Sequence, residues 1–220
     1  MLTIRDLDVA IARATILHGV NLEFPSGQTA ALIGRNGAGK TTLMRSIMGL
    51  AATKAGRITF DEVELTGFAA HRRAGLGIGY MPEDRRLVPE LTVEQNILLP
   101  VWATRQAGLA DRLPWVYGMM PELGPLAPRK ALQLSGGQQK LAALGRALIC
   151  GTRLLLLDEP FEGVAPALAG RLAEVISGLK REGLSVLLSE SDYTYSADLV
   201  DHLFVIERGV IEAKKKEAMK

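Results

Sequence analysis

The segment with the most distinctive chemistry runs from residue 34 to residue 42 and reads Gly-Arg-Asn-Gly-Ala-Gly-Lys-Thr-Thr. It follows a short apolar run and precedes a helical pattern, which is the setting of a phosphate-binding loop. Glycines let backbone N–H groups turn toward one anion, and the following helix directs its positive end at the same point. The predicted phosphate-binding residues are Gly34, Asn36, Gly37, Ala38, Gly39, Lys40, Thr41 and Thr42.

Lys40 and Thr41 supply the side chains of this loop that meet the phosphates. We expect the Lys40 ammonium to bridge the β- and γ-phosphates of a nucleotide and the Thr41 hydroxyl to join a Mg²⁺ shell. A glycine-rich turn with a surface lysine is the alternative. The strand–loop–helix setting favours phosphate binding.

Two acids, Asp158 and Glu159, follow directly after the leucine run Leu154–Leu157. Open α/β sheets bind ligands at the carboxyl ends of their strands, so acids at this point would face the ligand. We expect Asp158 to reach Mg²⁺ through water and Glu159 to polarise the attacking water as general base. Such acids also start ordinary polar loops, but the upstream phosphate loop favours a functional pair.

A third motif, Leu134–Lys140, reads Leu-Ser-Gly-Gly-Gln-Gln-Lys and lies shortly before the two acids. Ser135 and Gln138 have the spacing of a capping box, which predicts that a helix begins here and continues through Leu148. The free N–H groups and the dipole of a helix start can bind phosphate. A purely structural helix cap is the alternative.

With these three motifs in this order, the chain resembles the ABC ATPase family over essentially its whole length. The resemblance implies an ATPase that uses ATP and Mg²⁺. It implies that Ser135, Gly137 and Gln138 contact the γ-phosphate of ATP held by a second ABC ATPase subunit, identical or different. ATP would then join the two subunits.

Four positions depart from the pattern of that family. Glu83 stands where relatives have a glutamine that senses γ-phosphate and Mg²⁺, and a carboxylate there can still coordinate magnesium. Ser191 stands in place of a catalytic histidine and can hydrogen-bond without carrying positive charge. Ile11 replaces an aromatic residue that stacks on adenine, and Ala165 replaces an aspartate that acts across the dimer.

Three further segments narrow the resemblance to the ATPases of branched-chain amino-acid importers and their amide or urea relatives: Pro82–Arg86, Pro89–Asn96 and Glu162–Pro166. Permease subunits would then be direct partners and a solute-binding protein an indirect one. An exporter ATPase, for example for lipid, is the nearest rival. A non-transport ABC protein would more often carry tandem domains or a coiled-coil insertion, and a phosphate-loop kinase leaves the Leu134–Lys140 motif unexplained.

The elements that position these residues read as an α/β protein. We expect an antiparallel β layer from Leu2–Val9, Val20–Phe24 and Thr29–Ile33, the last two joined by a turn at Pro25–Gln28. Arg57–Phe60 is a further strand. The unbroken apolar runs Arg153–Asp158 and Leu184–Ser189 predict core strands of a parallel sheet.

The stretch between residues 91 and 147 lacks a convincing strand. Its prolines are expected to divide it into short helices; they are Pro100, Pro114, Pro121, Pro125 and Pro128. A capping-box spacing of Thr92 and Gln95 predicts its first helix. Together with the resemblance, these elements imply a single α/β ABC ATPase domain over 1–220. We expect a RecA-like P-loop core with an N-terminal antiparallel β layer at 1–90 and 148–220, and an inserted helical subdomain at 91–147 that ends in the helix begun at Ser135.

Charge and cysteine content narrow the remaining choices. Lys and Arg number 26 against 24 Asp and Glu, without a basic block, so no nucleic-acid partner is expected. Cys150 is the only cysteine and no apolar run approaches the roughly 20 residues of a membrane span, which indicates a cytoplasmic subunit held peripherally on the membrane by its partners. The Lys214–Glu217 stretch reads as a solvated tail.

Overall fold

The computed structural model describes residues 1–214. Its strands are β1 (Leu2–Ile11), β2 (Ala14–Phe24), β3 (Thr29–Ile33), β4 (Thr53–Phe60), β5 (Val63–Glu64), β6 (Ile78–Met81), β7 (Leu154–Asp158), β8 (Ser185–Glu190), β9 (His202–Glu207) and β10 (Val210–Lys214). Its α-helices are α1 (Lys40–Ile47), α2 (Ala70–Arg73), α3 (Val93–Thr104), α4 (Leu113–Met119), α5 (Gly136–Cys150) and α6 (Pro166–Arg181). The aliphatic runs of the sequence form the inner strands of a six-stranded sheet with the order β10-β9-β3-β8-β7-β6, parallel except between β9 and β10.

The register of the parallel strands brings three chemical segments to one edge of the sheet. Ile33 at the end of β3 lies beside Glu190 of β8, and Asp158 at the end of β7 lies beside Ser189. The phosphate loop, the two acids and residue 191 therefore leave the sheet together, because the carboxyl ends of parallel strands share an edge. The predicted α/β construction is confirmed.

A second, antiparallel sheet has the strand order β2-β1-β4-β5 and forms the predicted N-terminal layer. One part of that prediction is wrong: Thr29–Ile33 does not join the layer but forms β3, between β8 and β9 of the parallel sheet. Burial gives the physical reason. Most of β3 is buried on both faces, whereas β1 and β2 mix buried with exposed residues, as a half-solvated layer does.

The leucines of β7 alternate between two apolar clusters, one on each face of the parallel sheet. Leu155 and Leu157 pack with side chains of α5 and α6, while Leu154 and Leu156 pack with α1 and the antiparallel layer. The site edge is thus fixed from both faces, since packed interiors tolerate little displacement.

The helices α3, α4 and α5 lie between β6 and β7 in the chain, where the sequence predicts an insertion. Thr92 caps α3 in the predicted reciprocal bonds with Gln95. The prediction that Pro100 divides helices is wrong, since this residue lies inside α3. Proline lacks one backbone donor, and the packing of Val93 and Ile97 of α3 in the same core cluster as α5 outweighs that loss.

Other boundaries agree better with the prediction. Pro114 lies in the first turn of α4 and Pro121 begins a 3₁₀ turn, as prolines at helix starts do. Helix α5 continues to Cys150, so a subdomain boundary at 147 would cut a helix, and the domain division stays a prediction. Lys214 ends β10, and the rest of the predicted tail lies outside the described residues.

Within residues 1–214, no helix is both long and apolar enough to cross a membrane.

A buried arginine fastens the far end of α1. Arg73 is 3% exposed, and its guanidinium donates to the carbonyl oxygens of Ser46 and Ile47 at 2.9 and 2.6 Å. It also donates to the carbonyls of Leu65 and Phe68 at 2.5 and 3.0 Å. The bonds to Ser46 and Ile47 reach carbonyls of the last turn of α1, where a helix leaves its carbonyls without intrahelical partners.

Candidate nucleotide site

The phosphate loop enters α1 through backbone conformations that favour glycine. Gly37 and Gly39 have φ angles of 82° and 114°, in the left-handed region. A Cβ on Gly34 would lie 2.4 Å from the carbonyl oxygen of Ile206, so a larger residue does not fit there. The outer part of the loop at residues 35–37 is exposed and therefore open to a ligand.

Lys40 lies beneath this loop with only 5% of its side chain exposed. Its Nζ donates to the carbonyl oxygens of Gly34 and Arg35 at 2.5 and 3.2 Å. The same ammonium forms an ion pair with Glu159 Oε1 at 3.0 Å. One cation thus joins the phosphate loop to the candidate base.

Thr41 and Asp158 bring two oxygen ligands together. The Thr41 hydroxyl donates to Asp158 Oδ1 at 3.2 Å, and the buried Asp158 also accepts from Ser189 Oγ at 2.7 Å and Tyr80 OH at 3.3 Å. Burial raises the pKa of Asp158, against which the hydrogen bonds from Ser189 and Thr41 act.

These oxygens fit a hard cation such as Mg²⁺. Among residues 1–214, no cluster of three or more His, Cys, Asp or Glu side chains could hold a metal by itself. Waters and the oxygens of a nucleotide would therefore complete such a shell, which is how Mg²⁺ commonly binds beside phosphates.

Glu159 has a strained backbone, with φ at 48° in the left-handed region. Its N–H donates to Ser189 Oγ at 3.1 Å, and its carboxylate accepts from the Ser191 hydroxyl at 2.9 Å. The side chain is buried against Lys40. The turn after β7 therefore directs this carboxylate at the phosphate loop.

Ser191 bridges the two sides of the site. Its hydroxyl lies 2.8 Å from Asn36 Oδ1 and 2.9 Å from Glu159 Oε1, and Lys40 Nζ lies 3.4 Å away. A hydroxyl has one proton, so it donates to one of these acceptors at a time. The structure thus brings together the three residues predicted for catalysis, with a neutral bridge in the histidine position.

The Leu134–Lys140 segment begins α5 with the predicted capping box. Ser135 Oγ accepts from the Gln138 N–H at 3.3 Å, and Gln138 Oε1 accepts from the Ser135 N–H at 3.1 Å. Within the described part of the chain, no hydrogen bond or ion pair joins Ser135, Gly137 or Gln138 to the phosphate loop. The exposed helix start is therefore available to a ligand on another chain.

The remaining predicted residues lie around this centre. Glu83 lines the same cleft as Thr41 and Asp158, and its pKa is raised first by burial and then by neighbouring acids. Ile11 ends β1 and is 48% exposed. Ala165 precedes α6 and supplies no side-chain cap, which an aspartate could provide.

The cleft that holds Glu83 has a volume of about 430 Å³. Apolar walls come from Met48, Leu50 and Pro100, and three cations also line it: Arg45, Arg86 and Arg146. The Nε atom of Arg45 is buried without a hydrogen-bond partner in the described residues. Beside the cleft, α3 is apolar, and its Trp102 is 52% exposed.

Three residues of the site were missed by sequence reasoning: Tyr80, Ser189 and Lys140. The first two bind Asp158, and Lys140 donates to the carbonyl oxygens of Glu159 and Glu162. Only tertiary pairing brings these groups together, so their spacing along the chain carries no signal.

The fold and the site define a P-loop nucleotide hydrolase. The family described as "ABC transporter" matches residues 17–162. The chain belongs to the ABC transporter family and is an ATP-binding, ATP-hydrolysing subunit.

Individual relatives agree with this assignment. The high-affinity branched-chain amino acid transport ATP-binding protein BraG of Pseudomonas aeruginosa is 34% identical, over 96% of this chain and 91% of its own. The lipopolysaccharide export system ATP-binding protein LptB of Escherichia coli K12 is 29% identical, over 94% and 87%. The cassette MJ0796, solved as a dimer bound to ADP and Pi, has 23% identity and a TM-score of 0.87 over 98% of this chain and 99% of its own, which confirms the fold.

Proposed function

We propose that this chain powers the import of branched-chain amino acids or related small solutes through separate permease subunits, as one of a pair of ATPase subunits. The observation that carries the catalytic part is the contact of Lys40, Glu159 and Ser191 at the shared edge of β3, β7 and β8. The similarity to BraG, a branched-chain amino acid transport ATP-binding protein, supports the solute class.

In hydrolysis, Lys40 stabilises negative charge on the phosphate and Glu159 acts on the attacking water. Lys40 holds the γ-phosphate and offsets the negative charge that develops on it. Glu159 accepts a hydrogen bond from the attacking water and orients it, while Ser191 keeps the carboxylate against the loop at 2.9 Å. Thr41 and Asp158 would hold Mg²⁺, which would supply positive charge against the phosphates.

In the proposed pair, a second ATPase subunit completes the nucleotide site of this chain. The start of α5 presents Ser135 and Gln138 to solvent, and the helix dipole favours an anion there. In a two-fold arrangement this start on one subunit would meet the γ-phosphate held by the other, and the reverse. The dimeric ADP-bound cassette supports such a pair.

The permease is proposed to dock at the cleft beside Glu83. Its apolar walls and the exposed Trp102 fit an amphipathic helix. The half-buried Arg45, whose Nε has no hydrogen-bond partner in the described residues, favours an acidic residue on that helix. Arg146 of α5 donates to the carbonyls of Arg85 and Arg86 in the loop that follows Glu83. A docked helix would therefore contact a loop fastened to α5, and this chain would lie on the cytoplasmic face of the membrane.

An exporter remains the second candidate function because of the similarity to LptB.

The test of import against export is to purify the tagged chain with its partners from the host membrane and to reconstitute the complex in liposomes. ATP-dependent uptake of labelled leucine or urea is expected, and Glu159→Gln should stop it. The exposed neighbour Glu162 gives the matched control, Glu162→Gln, with uptake retained. ATP-dependent lipid release without uptake would support export and contradict import.

A further inference from the structure

Lys140 is a buried cation that the hydrolysis scheme leaves without a role. It lies in the first turn and a half of α5, and its residue is 4% exposed. Its Nζ donates to the carbonyl oxygens of Glu159 at 2.9 Å and Glu162 at 2.5 Å. Across residues 1–214, Lys140 forms no ion pair, so backbone oxygens are its direct partners.

This placement is costly for a lysine. Burial lowers the pKa of Lys140, and the carboxylates of Glu162 and Glu159 act in the opposite direction. An apolar side chain would fill the same space without desolvating a charge. Compared with an apolar side chain, the Lys140 ammonium therefore contributes its two hydrogen bonds to backbone carbonyls.

Both carbonyls belong to the turn that sets the direction of Glu159. The φ of Glu159 is 48°, and Gly163 at the end of the turn has a φ of 66°. A side-chain-bearing residue keeps such a conformation when its surroundings hold it. Ser189 holds the Glu159 N–H from β8, and Lys140 holds the carbonyl of the same residue from α5.

We propose that Lys140 is a positioning residue, which clamps the turn at Glu159–Glu162 to the start of α5 and so aligns the Glu159 carboxylate for the attack of water. The inference rests on the proposed ATPase mechanism. The Lys140 clamp would join the start of α5 and the general base Glu159 into one rigid unit. In the proposed pair, the start of α5 contacts the nucleotide held by the other subunit, whereas Glu159 acts on the nucleotide held by its own chain. Lys140 would therefore connect the two nucleotide sites through one side chain.

The test compares Lys140→Met and Lys140→Gln in the complete, partner-containing ATPase. Methionine keeps an unbranched stem but donates no hydrogen bond, whereas glutamine keeps a neutral donor. For Lys140→Met we expect kcat to fall about 10- to 100-fold, with KM and the Kd for Mg-ATP within about twofold of wild type. Lys140→Gln should recover part of kcat. The thermal midpoint of Lys140→Met should fall only modestly, because removal of a buried charge offsets part of the cost of leaving two carbonyl oxygens without this donor.

Lys54→Met, at an exposed lysine of β4, is the control and should behave as wild type. Unchanged kcat in Lys140→Met beside an active wild type would overturn the inference alone. A joint loss of thermal midpoint and ATP affinity in both Lys140 variants would reduce the residue to a structural anchor and also overturn it. A wild-type complex that does not hydrolyse ATP would instead remove the proposed function.

Discussion

The ion pair between Lys40 and Glu159 is 3.0 Å long, and its side chains are 5% and 7% exposed. Removing one partner of such a pair leaves an uncompensated buried charge. In the proposed mechanism, the phosphates of ATP offer Lys40 a second anion, which leaves Glu159 to receive a hydrogen bond from water. Lys40 would then serve nucleotide binding and Glu159 the chemical step.

Glu159→Gln should expose that separation. Glutamine keeps the size of the side chain but cannot accept a proton, so turnover should fall by about 100-fold or more while Mg-ATP binding survives. The trapped nucleotide should hold the subunits together, as seen by size-exclusion chromatography with and without ATP. Near-normal turnover with the proper partner would remove Glu159 from the base role.

Glu190 gives the fold a pH dependence. It is 4% exposed, and burial raises its pKa from 4.5 to about 7, opposed by a hydrogen bond from Ser196. The folded-state pKa is the higher one, so the protonated acid stabilises the fold below pH 4.5, and this contribution is lost as pH rises through about 7.

The corresponding variant is Glu190→Gln, which does not titrate. The fall in unfolding free energy between about pH 5.5 and about pH 8.5 should be smaller in the variant, by about 2 kcal/mol. Urea melts at the two pH values measure it. Parallel pH profiles for wild type and variant would show that Glu190 titrates alike in the folded and unfolded chain.

Much of the site could be predicted at the scale of residues because its chemistry is local in sequence. Residue types at fixed spacing are enough to recognise three of its segments: Gly34–Thr42, the two acids after β7 and the capping box at Ser135. The contacts of Tyr80 and Lys140 could not be predicted, since their partners lie 78 and 19 positions away and their residue types are ordinary.

Helices and strands were harder to predict where a short-range sequence preference, such as turn or proline chemistry, conflicts with tertiary packing. Residues Thr29–Ile33 follow a turn that suits antiparallel strands, yet burial on both faces places them in the parallel sheet. Pro100 obeys the rule that proline removes a donor, yet α3 continues past it. In both cases tertiary packing outweighs a short-range preference.

Arg73 tests how strongly one residue fastens an element. Arg73→Met removes a donor from each of four carbonyl oxygens near the end of α1. Those of Ser46 and Leu65 keep a backbone N–H donor, so the larger cost falls on the carbonyls of Ile47 and Phe68. We expect the unfolding free energy to fall by about 3 to 5 kcal/mol, measured by urea denaturation. The neighbour Arg72 is exposed, so Arg72→Met should change it by less than about 1 kcal/mol. Equal effects would contradict the fastening role.

At the scale of the whole molecule, the proposed pairing makes the phosphate loop and the start of α5 separate halves of a site. If two like chains pair, Lys40→Ala and Ser135→Arg should each abolish turnover alone, because every site then lacks one half. Mixing them should restore about a quarter of wild-type turnover, since half the pairs are mixed and carry one intact site. ATPase assays before and after mixing measure this. No recovery, beside an active wild type, would contradict pairing between like chains.

The strand order also has a consequence for how the chain is made. Strand β3 precedes the phosphate loop, but its two neighbours, β8 and β9, follow only after β4 to β7 and all six α-helices of the described residues. During synthesis the antiparallel layer can assemble from β1, β2 and β4 before the ribosome has delivered the strands that flank β3. The sheet edge that carries the phosphate loop is therefore completed after the antiparallel layer, and β3 lacks its final neighbours until β8 and β9 have been made.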